Sequence, residues 1–356
     1  MYRGKLGTMP RAFERDDESY LAFVEGARVF VGTLEPQLNE AAGAAITRFQ
    51  HTTGRMPRTV AETKSALDPL PIVASRNRLM RSTQEMMWSG VSETYRKREA
   101  ELLAELDAAD RSSIGSVIWD PNFQYPAYFS SVEFHIQPGS YYADPLAGFI
   151  YHYGTKVFFL GQNDKDQVQT GFVNRIPKPP DGAVNRVLDV ACSVGQSTTA
   201  LKQRFVAAEV WGIDAGAPMV RYAHKRAADL GLPIHFRQAL AEQTRFPDGH
   251  FDLVYSYILF HEVPSALYLP ILREMRRITR PGGLVVAVDF ASAGADPPPI
   301  RQYFYEFSRL FNGEPYAADF VRTDFTALMR EAGLRNVRDI PTGSGFVGLP
   351  LRVGEA

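Results

Sequence analysis

Two carboxylates bracket a turn of small residues in this 356-residue chain, and their spacing suits a ligand that carries a ribose. Asp189 lies in a short apolar run, 187–190, whose length and β-branched content predict a buried parallel strand. The turn Ala191-Cys192-Ser193-Val194-Gly195 follows. Polar residues at 196–199, among them Ser197 and Thr198, then cap a helix that runs on through Ala200, Leu201 and Phe205. A second apolar run, 210–213, ends in Asp214. Small residues let a backbone approach a ligand closely, and the start of a helix offers unpaired N–H groups. An acid at the end of the second strand, roughly twenty residues past the turn, can accept both hydroxyl protons of a ribose. Strand, turn, helix, strand and acid make half of a nucleotide-binding βαβ unit.

Two features separate a dinucleotide site from a sulfonium site. Asp189, just before the turn, would repel a pyrophosphate but can face a sulfonium or an amino group. Further on, Arg280-Pro281-Gly282-Gly283 leads into the apolar run 284–288 and Asp289. At these residues the chain resembles the class I S-adenosylmethionine-dependent methyltransferases. VLDVACSVG stands where that family has VLDxGCGxG, FPDGHFDLV at 246–254 matches FPDxxFDLV, and ITRPGGLVVAVDF at 278–290 matches LKPGGxLxxxD. The resemblance spans about 186–353. It implies an α/β fold, a Rossmann-like seven-stranded methyltransferase sheet with helices on both faces, and S-adenosylmethionine as cofactor.

The resemblance also assigns roles to residues. Asp214 would hold the ribose hydroxyls, with Ala215 beside it and Met219 packed against the adenosine. Asp189, Ala191, Cys192, Ser193, Gly195, Ser197 and Thr198 would surround the methionine part, and Tyr257 would border the site. Ala241 and Glu242 would lie near adenine. The position of the usual adenine-reading acid is Leu240, so adenine is expected on backbone groups and apolar contacts. Ala191 and Ser193 replace two of the usual glycines, which preserves close approach if neither needs a positive φ.

His261 is the candidate for proton transfer. The run Tyr257-Ile258-Leu259-Phe260-His261-Glu262 looks like the WxLHDW segment of small-molecule O-methyltransferases, whose histidine is the general base. Methyl transfer is an in-line displacement in which positioning does most of the work. A hydroxyl or thiol acceptor gains from losing its proton, and imidazole suits that task. The competing reading has His261 supporting the next helix. Two other functions remain open. A silent S-adenosylmethionine binder would explain the missing glycines and adenine acid. A nicotinamide-dependent oxidoreductase would use the same ribose logic, but Asp189, the altered turn and the RPGG turn speak against it.

The elements that position these residues divide at 175–182, where three prolines make a stiff connector. Residues 183–356 alternate helix and strand, as a parallel sheet covered on both faces requires. Strands are expected at 234–237, 251–255 and 284–289, with a closing pair at 337–340 and 345–351. The half before the connector, 1–176, reads as helices over 20–30, 36–50 and 75–107, followed by a ring-dense region at 119–172. Its phenols, Tyr142 and Tyr151, with Tyr305 from the later aromatic segment 301–312, are candidates to orient a small, largely apolar or aromatic acceptor. Met80, Met86, Met87 and Trp88 are expected in a core rather than a cavity, and His135 and His152 as structural histidines.

Net charge is −1 with both signs interspersed, which provides no electrostatic footprint for nucleic acid or an anionic membrane. The single cysteine, Cys192, excludes an intrachain disulfide and fits a reducing, cytoplasmic compartment. Its position favours a small buried filler over a nucleophile. No metal-ligand spacing is present, and a homodimer is left open.

Overall fold

The computed structural model describes residues 5–6, 8–292, 298–343 and 348–356. Its centre is one sheet made of β1 (Ser116–Ile118), β2 (Arg186–Val190), β3 (Glu209–Asp214), β4 (His235–Gln238), β5 (Phe251–Tyr257), β6 (Thr279–Val288), β7 (Arg335–Ile340) and β8 (Leu351–Glu355). The spatial order is β1-β4-β3-β2-β5-β6-β8-β7. The first six strands run parallel, and β8 pairs antiparallel with β6 and β7.

Among the described residues the sheet therefore has eight strands rather than the expected seven. The addition is β1, three residues from before the connector that cover the edge of β4 in parallel register with His235, Phe236 and Arg237. An exposed edge is a liability for any sheet, and a short strand suffices to protect it. Gly115 makes the approach possible: its φ is 74°, and a Cβ there would fall 2.0 Å from the carbonyl oxygen of Ile234. Three residues carry no legible period, which is why the strand escapes a reading of the sequence. The last strand also lies later than the expected 345–351. It begins at Leu351, opposite Val288, after Pro350, which has no N–H to give to a ladder. Residues 345–347 of that expectation lie outside the described residues.

Besides a single turn at Ala127–Ser130, the helices before the connector are α1 (Arg15–Gly32), α2 (Glu35–Thr53), α3 (Val60–Leu67), α4 (Pro71–Arg96), α5 (Glu99–Ala109), α6 (Ala147–Phe158) and α7 (Gln167–Val173). The helix expected over 75–107 is two. Arg98 leaves helical geometry at φ −129°, ψ 30°, and lays its guanidinium over the Phe13 ring, 4.4 Å from the centroid. After the connector come α8 (Gln196–Arg204), α9 (Ala217–Asp229), α10 (Tyr268–Ile278), α11 (Pro299–Phe307), α12 (Ala317–Val321) and α13 (Phe325–Glu331).

Helices α7, α8 and α9 cover one face of the sheet through Phe172, Leu201, Val220 and Ala223, while α10 and α13 cover the other through Ile271, Met275 and Phe325. Val194, Met219 and Tyr222 from after the connector share one core with Leu21, Trp88, Phe149 and Tyr153 from before it. That shared core holds the N-terminal helices over the carboxyl ends of the parallel strands, where open α/β sheets bind ligands.

Candidate active site

The ends of β2, β3 and β5 open into a cleft. The turn after β2 keeps a left-handed backbone at three positions, with φ 59° at Ala191, 50° at Ser193 and 76° at Gly195. The condition under which alanine and serine would fit without strain is therefore not met. Both residues occupy the conformation in which a Cβ costs roughly 1–2 kcal/mol. The turn is nonetheless well determined. The Cys192 N–H donates to the Ile213 carbonyl at 2.8 Å, and the Ser193 N–H donates to Asp214 Oδ2 at 3.0 Å. Asp214 Oδ1 accepts a further bond from the Gly216 N–H at 2.9 Å. Burial outweighs these two bonds and pushes the Asp214 carboxyl up to about 6.

Ala191, Ser193, Asp214, Ala215 and Tyr257 line the cleft. Asp189 lies behind the turn, fully buried. Its Oδ2 accepts from the Thr198 hydroxyl at 2.7 Å, while its Oδ1 has no hydrogen-bond partner among the described residues. Burial pushes this carboxyl up to about 7. Ser197 is buried in the same first turn of α8. Cys192 points into the sheet core, 3.0 Å from where a Cβ on Gly212 would stand, and burial holds its thiol far above the usual value. Met219 is buried in the shared core behind Gly216 and is not part of the cleft wall.

On the far side the wall is made by Leu240, Ala241 and Glu242. Glu242 Oε1 accepts from the Tyr128 hydroxyl at 2.8 Å, and its Oε2 is buried with no hydrogen-bond partner among the described residues. Asp214, Glu242 and Glu262 thus border one cleft, with Asp189 close behind. That set of carboxylate acceptors suits a cationic ligand carrying a ribose and opposes a pyrophosphate. The orphaned carboxylate oxygens of Asp189 and Glu242 are acceptors that an ammonium or amino group would satisfy. The residues present fit the expected cofactor.

A second cavity adjoins the first and shares Tyr151, Tyr257 and Ile258 with it. Its walls are mainly apolar: Trp88, Phe158, Phe159, Phe290 and Leu349. Gly154 belongs to the wall as well, and a Cβ there would meet the Trp88 ring at 2.3 Å. Ile258, on the partition, has φ 50°. A β-branched residue in that region is strained, and the strain sits where the two cavities meet.

His261 lies in this second cavity, 1 % exposed. Its ring stacks on Phe290 at 4.0 Å, and its Nδ1 lies 2.6 Å from Asp289 Oδ1. Asp289 follows β6 directly and is itself fixed, with Oδ2 accepting from the Phe260 N–H and Oδ1 from the Phe290 N–H, each at 2.7 Å. Burial disfavours a charged imidazole here, but Asp289 outweighs it, helped by Glu262 and Glu314, and raises His261 to about 9. The pair can hold an anionic oxygen as imidazolium or take a proton as imidazole. Asp289 stood in the quoted RPGG segment, yet nothing in the sequence marked it as the partner of His261.

The candidate acceptor phenols separate. Tyr151 lines both cavities. Tyr142 lines neither: its hydroxyl donates to the Ser130 carbonyl at 2.8 Å. Tyr305 stands one ring back, with its centroid 6.1 Å from that of Phe290. Four rings of the dense region 119–172 that nothing in the sequence singles out, Tyr128, Phe129, Phe134 and Tyr141, close the cofactor side. Trp88, expected in a core, also faces the second cavity, whereas Met87 is core. His152 is structural, with Nδ1 2.8 Å from the Tyr222 hydroxyl. Among the described residues no group of three or more His, Cys, Asp or Glu is placed to hold a metal ion, and no helix is long and apolar enough to cross a membrane.

Comparison with known proteins follows the same lines. A family model described as a methyltransferase domain matches residues 187–283. A demethylmenaquinone methyltransferase of Thermus thermophilus is 38% identical over 122 residues, 34% of this chain and 52% of that protein. The chain thus spans about half the length of that relative. The ubiquinone/menaquinone biosynthesis C-methyltransferase UbiE of Burkholderia cenocepacia is 30% identical over 182 residues, 47% of this chain and 74% of that protein. Among solved structures, a geranyl diphosphate C-methyltransferase from Streptomyces coelicolor superposes with a TM-score of 0.43 at 14% identity, covering 57% of this chain and 83% of the other.

Proposed function

This chain belongs to the class I S-adenosylmethionine-dependent methyltransferases, and from that premise we propose that it methylates a small, apolar, hydroxylated aromatic acceptor bound in the second cavity. The observation that carries the proposal is the shared partition. Tyr151, Tyr257 and Ile258 separate an acid-lined cleft suited to the cofactor from an apolar cavity that holds a histidine–aspartate pair. S-adenosylmethionine supplies an activated methyl group when bound. Asp214 holds its ribose hydroxyls, Asp189 its methionine end, and Leu240 with Ala241 the adenine ring.

The acceptor side is the work of this chain's own residues. Trp88, Phe158 and Phe290 bind and desolvate the ring and exclude water. His261 faces the acceptor hydroxyl: as neutral imidazole it takes the hydroxyl proton and becomes imidazolium, and as imidazolium it pairs with an acceptor oxygen already ionised in solution, while Asp289 holds the ring in orientation. Loss of that proton activates the oxygen and, by conjugation, the ring carbons ortho and para to it. One proton-handling pair therefore serves methylation at oxygen or at ring carbon. The relatives named for quinone biosynthesis are C-methyltransferases by their printed names, which favours carbon.

The test is to incubate the protein with S-adenosylmethionine and a panel of phenols, naphthols and thiols, and to follow S-adenosylhomocysteine and methylated product by mass spectrometry. NMR of the product then separates O–CH3 from C–CH3. Turnover of a hydroxylated aromatic supports the proposal. Binding of cofactor with no methylated product from any member would instead support a silent binder.

A further inference from the structure

His135, expected as a structural histidine, is held as firmly as His261 and belongs to none of the family motifs. It comes from the half of the chain before the connector and stands in the wall of the second cavity. Its backbone is left-handed at φ 53°, and Ile136 follows at φ 57°. Two consecutive residues of this kind, one β-branched, persist only where their surroundings over-determine them. Here they do. The His135 carbonyl accepts from Trp88 Nε1 at 2.6 Å and from Gln84 Nε2 at 3.0 Å, and its N–H donates to the Gly313 carbonyl at 3.2 Å.

The ring is equally constrained. Nε2 lies 3.0 Å from Glu262 Oε1, on the side of the cofactor cleft. Nδ1 lies 3.5 Å from Glu314 Oε1 but makes no hydrogen bond among the described residues, although His135 is only 8 % exposed. A buried ring nitrogen left without a hydrogen bond is costly unless a ligand completes it. Glu314 and His261 line the same cavity.

Resting on the proposed methyl transfer, we propose that His135, with Glu314, is a second polar anchor for the acceptor: it takes an oxygen of the acceptor distinct from the one facing His261. The site then selects a ring with two separated oxygen substituents. Asp289, Glu262 and Glu314 already balance the two imidazoles, so an acceptor carboxylate finds no uncompensated cation and is disfavoured.

The experiment is calorimetric titration of the cofactor-loaded protein with three naphthalenes that differ in one substituent: 1-naphthol, 1,5-dihydroxynaphthalene and 5-hydroxy-1-naphthoate. The wild type is expected to bind the diol at least about tenfold more tightly than 1-naphthol, and the naphthoate no more tightly than 1-naphthol. In His135→Phe the diol preference over 1-naphthol, a ratio of two Kd values measured on the same variant, should shrink to within about twofold. His135→Gln, which keeps a donor, should retain part of the preference and guards against reading a folding defect as a lost contact. A wild type that binds 1-naphthol without preferring the diol overturns this inference alone, as does a preference that survives in His135→Phe. A wild type that binds none of the probes overturns the acceptor-cavity reading together with it.

Discussion

The two cavities are built by different means. The cofactor cleft is made largely by residues at the carboxyl ends of adjacent parallel strands, from Ala191 to Val263, and its chemistry is carried by carboxylates and backbone N–H groups. The acceptor cavity draws on positions from Trp88 to Leu349, and its chemistry is carried by rings with two histidine–carboxylate clusters. An invariable ligand can be read by a strand-end geometry that the sheet supplies. A particular acceptor has to be enclosed, and here the half before the connector supplies much of the enclosure. Both places hold left-handed non-glycine residues, Ala191 and Ser193 in one, His135 and Ile258 in the other.

That contrast breaks most sharply at His261. If the acceptor cavity alone carries the proton chemistry, His261→Ala should lower kcat by about 10²–10⁴-fold while Kd for S-adenosylmethionine changes less than about twofold. A matching loss of cofactor affinity would show that the two cavities are one functional unit. Asp214→Ala is the mirror experiment. Losing a carboxylate that accepts ribose hydroxyls should raise Kd for S-adenosylmethionine roughly 30–100-fold by calorimetry, with acceptor binding untouched.

Acid–base behaviour should divide the same way. His261 is raised to about 9, because Asp289, Glu262 and Glu314 outweigh its burial, so neutral imidazole accumulates only as pH rises through that value. The single-turnover rate should therefore climb towards pH 9, and in Asp289→Asn the limb should move down towards the usual histidine value of about 6.5. The sign for stability is opposite. The charged pair stabilises the fold fully below about 6.5 and loses that contribution as pH rises through 9. Cofactor affinity should weaken instead as pH falls through about 6, where Asp214 takes up its proton. A cofactor profile that followed His261 would erase the distinction.

The smallest effect concerns the turn. Ala191→Gly and Ser193→Gly should each be neutral to stabilising by up to about 1 kcal/mol, since relief of left-handed strain exceeds the added chain entropy of glycine. A thermal melt should show Tm unchanged or higher by about 1–3 °C, with acceptor binding unaffected.

Much of the cofactor side was legible because its signals are local. The run Val187-Leu188-Asp189-Val190, the small-residue turn and Asp214 follow one another within a single βαβ unit, and the structure brings Asp214 and the turn together through the Ser193 and Gly216 N–H groups. Met219 shows the limit even there. Helical spacing put it at the start of α9, but which face of that helix meets the cleft depends on the N-terminal core packed against it. Likewise, Ala191 and Ser193 could be recognised as small, while their positive φ could not be read from their identity.

What the sequence determined by itself was the order of elements, the family-type motifs, the carboxylates at the strand ends and the presence of a histidine after β5. Each rests on residues within about twenty positions of one another, where period and turn chemistry are informative. Only the tertiary structure decided the rest. It joined His261 to Asp289 across 28 positions, set His135 against Glu262 across 127, chose Tyr151 over Tyr142 for the cavity wall, and took Ser116–Ile118 into the sheet as an eighth strand. The physical reason is common to all four. A side-chain contact across a cavity and a three-residue edge strand leave no period in the chain; they are settled by which faces remain to be buried once the sheet and its helices have formed.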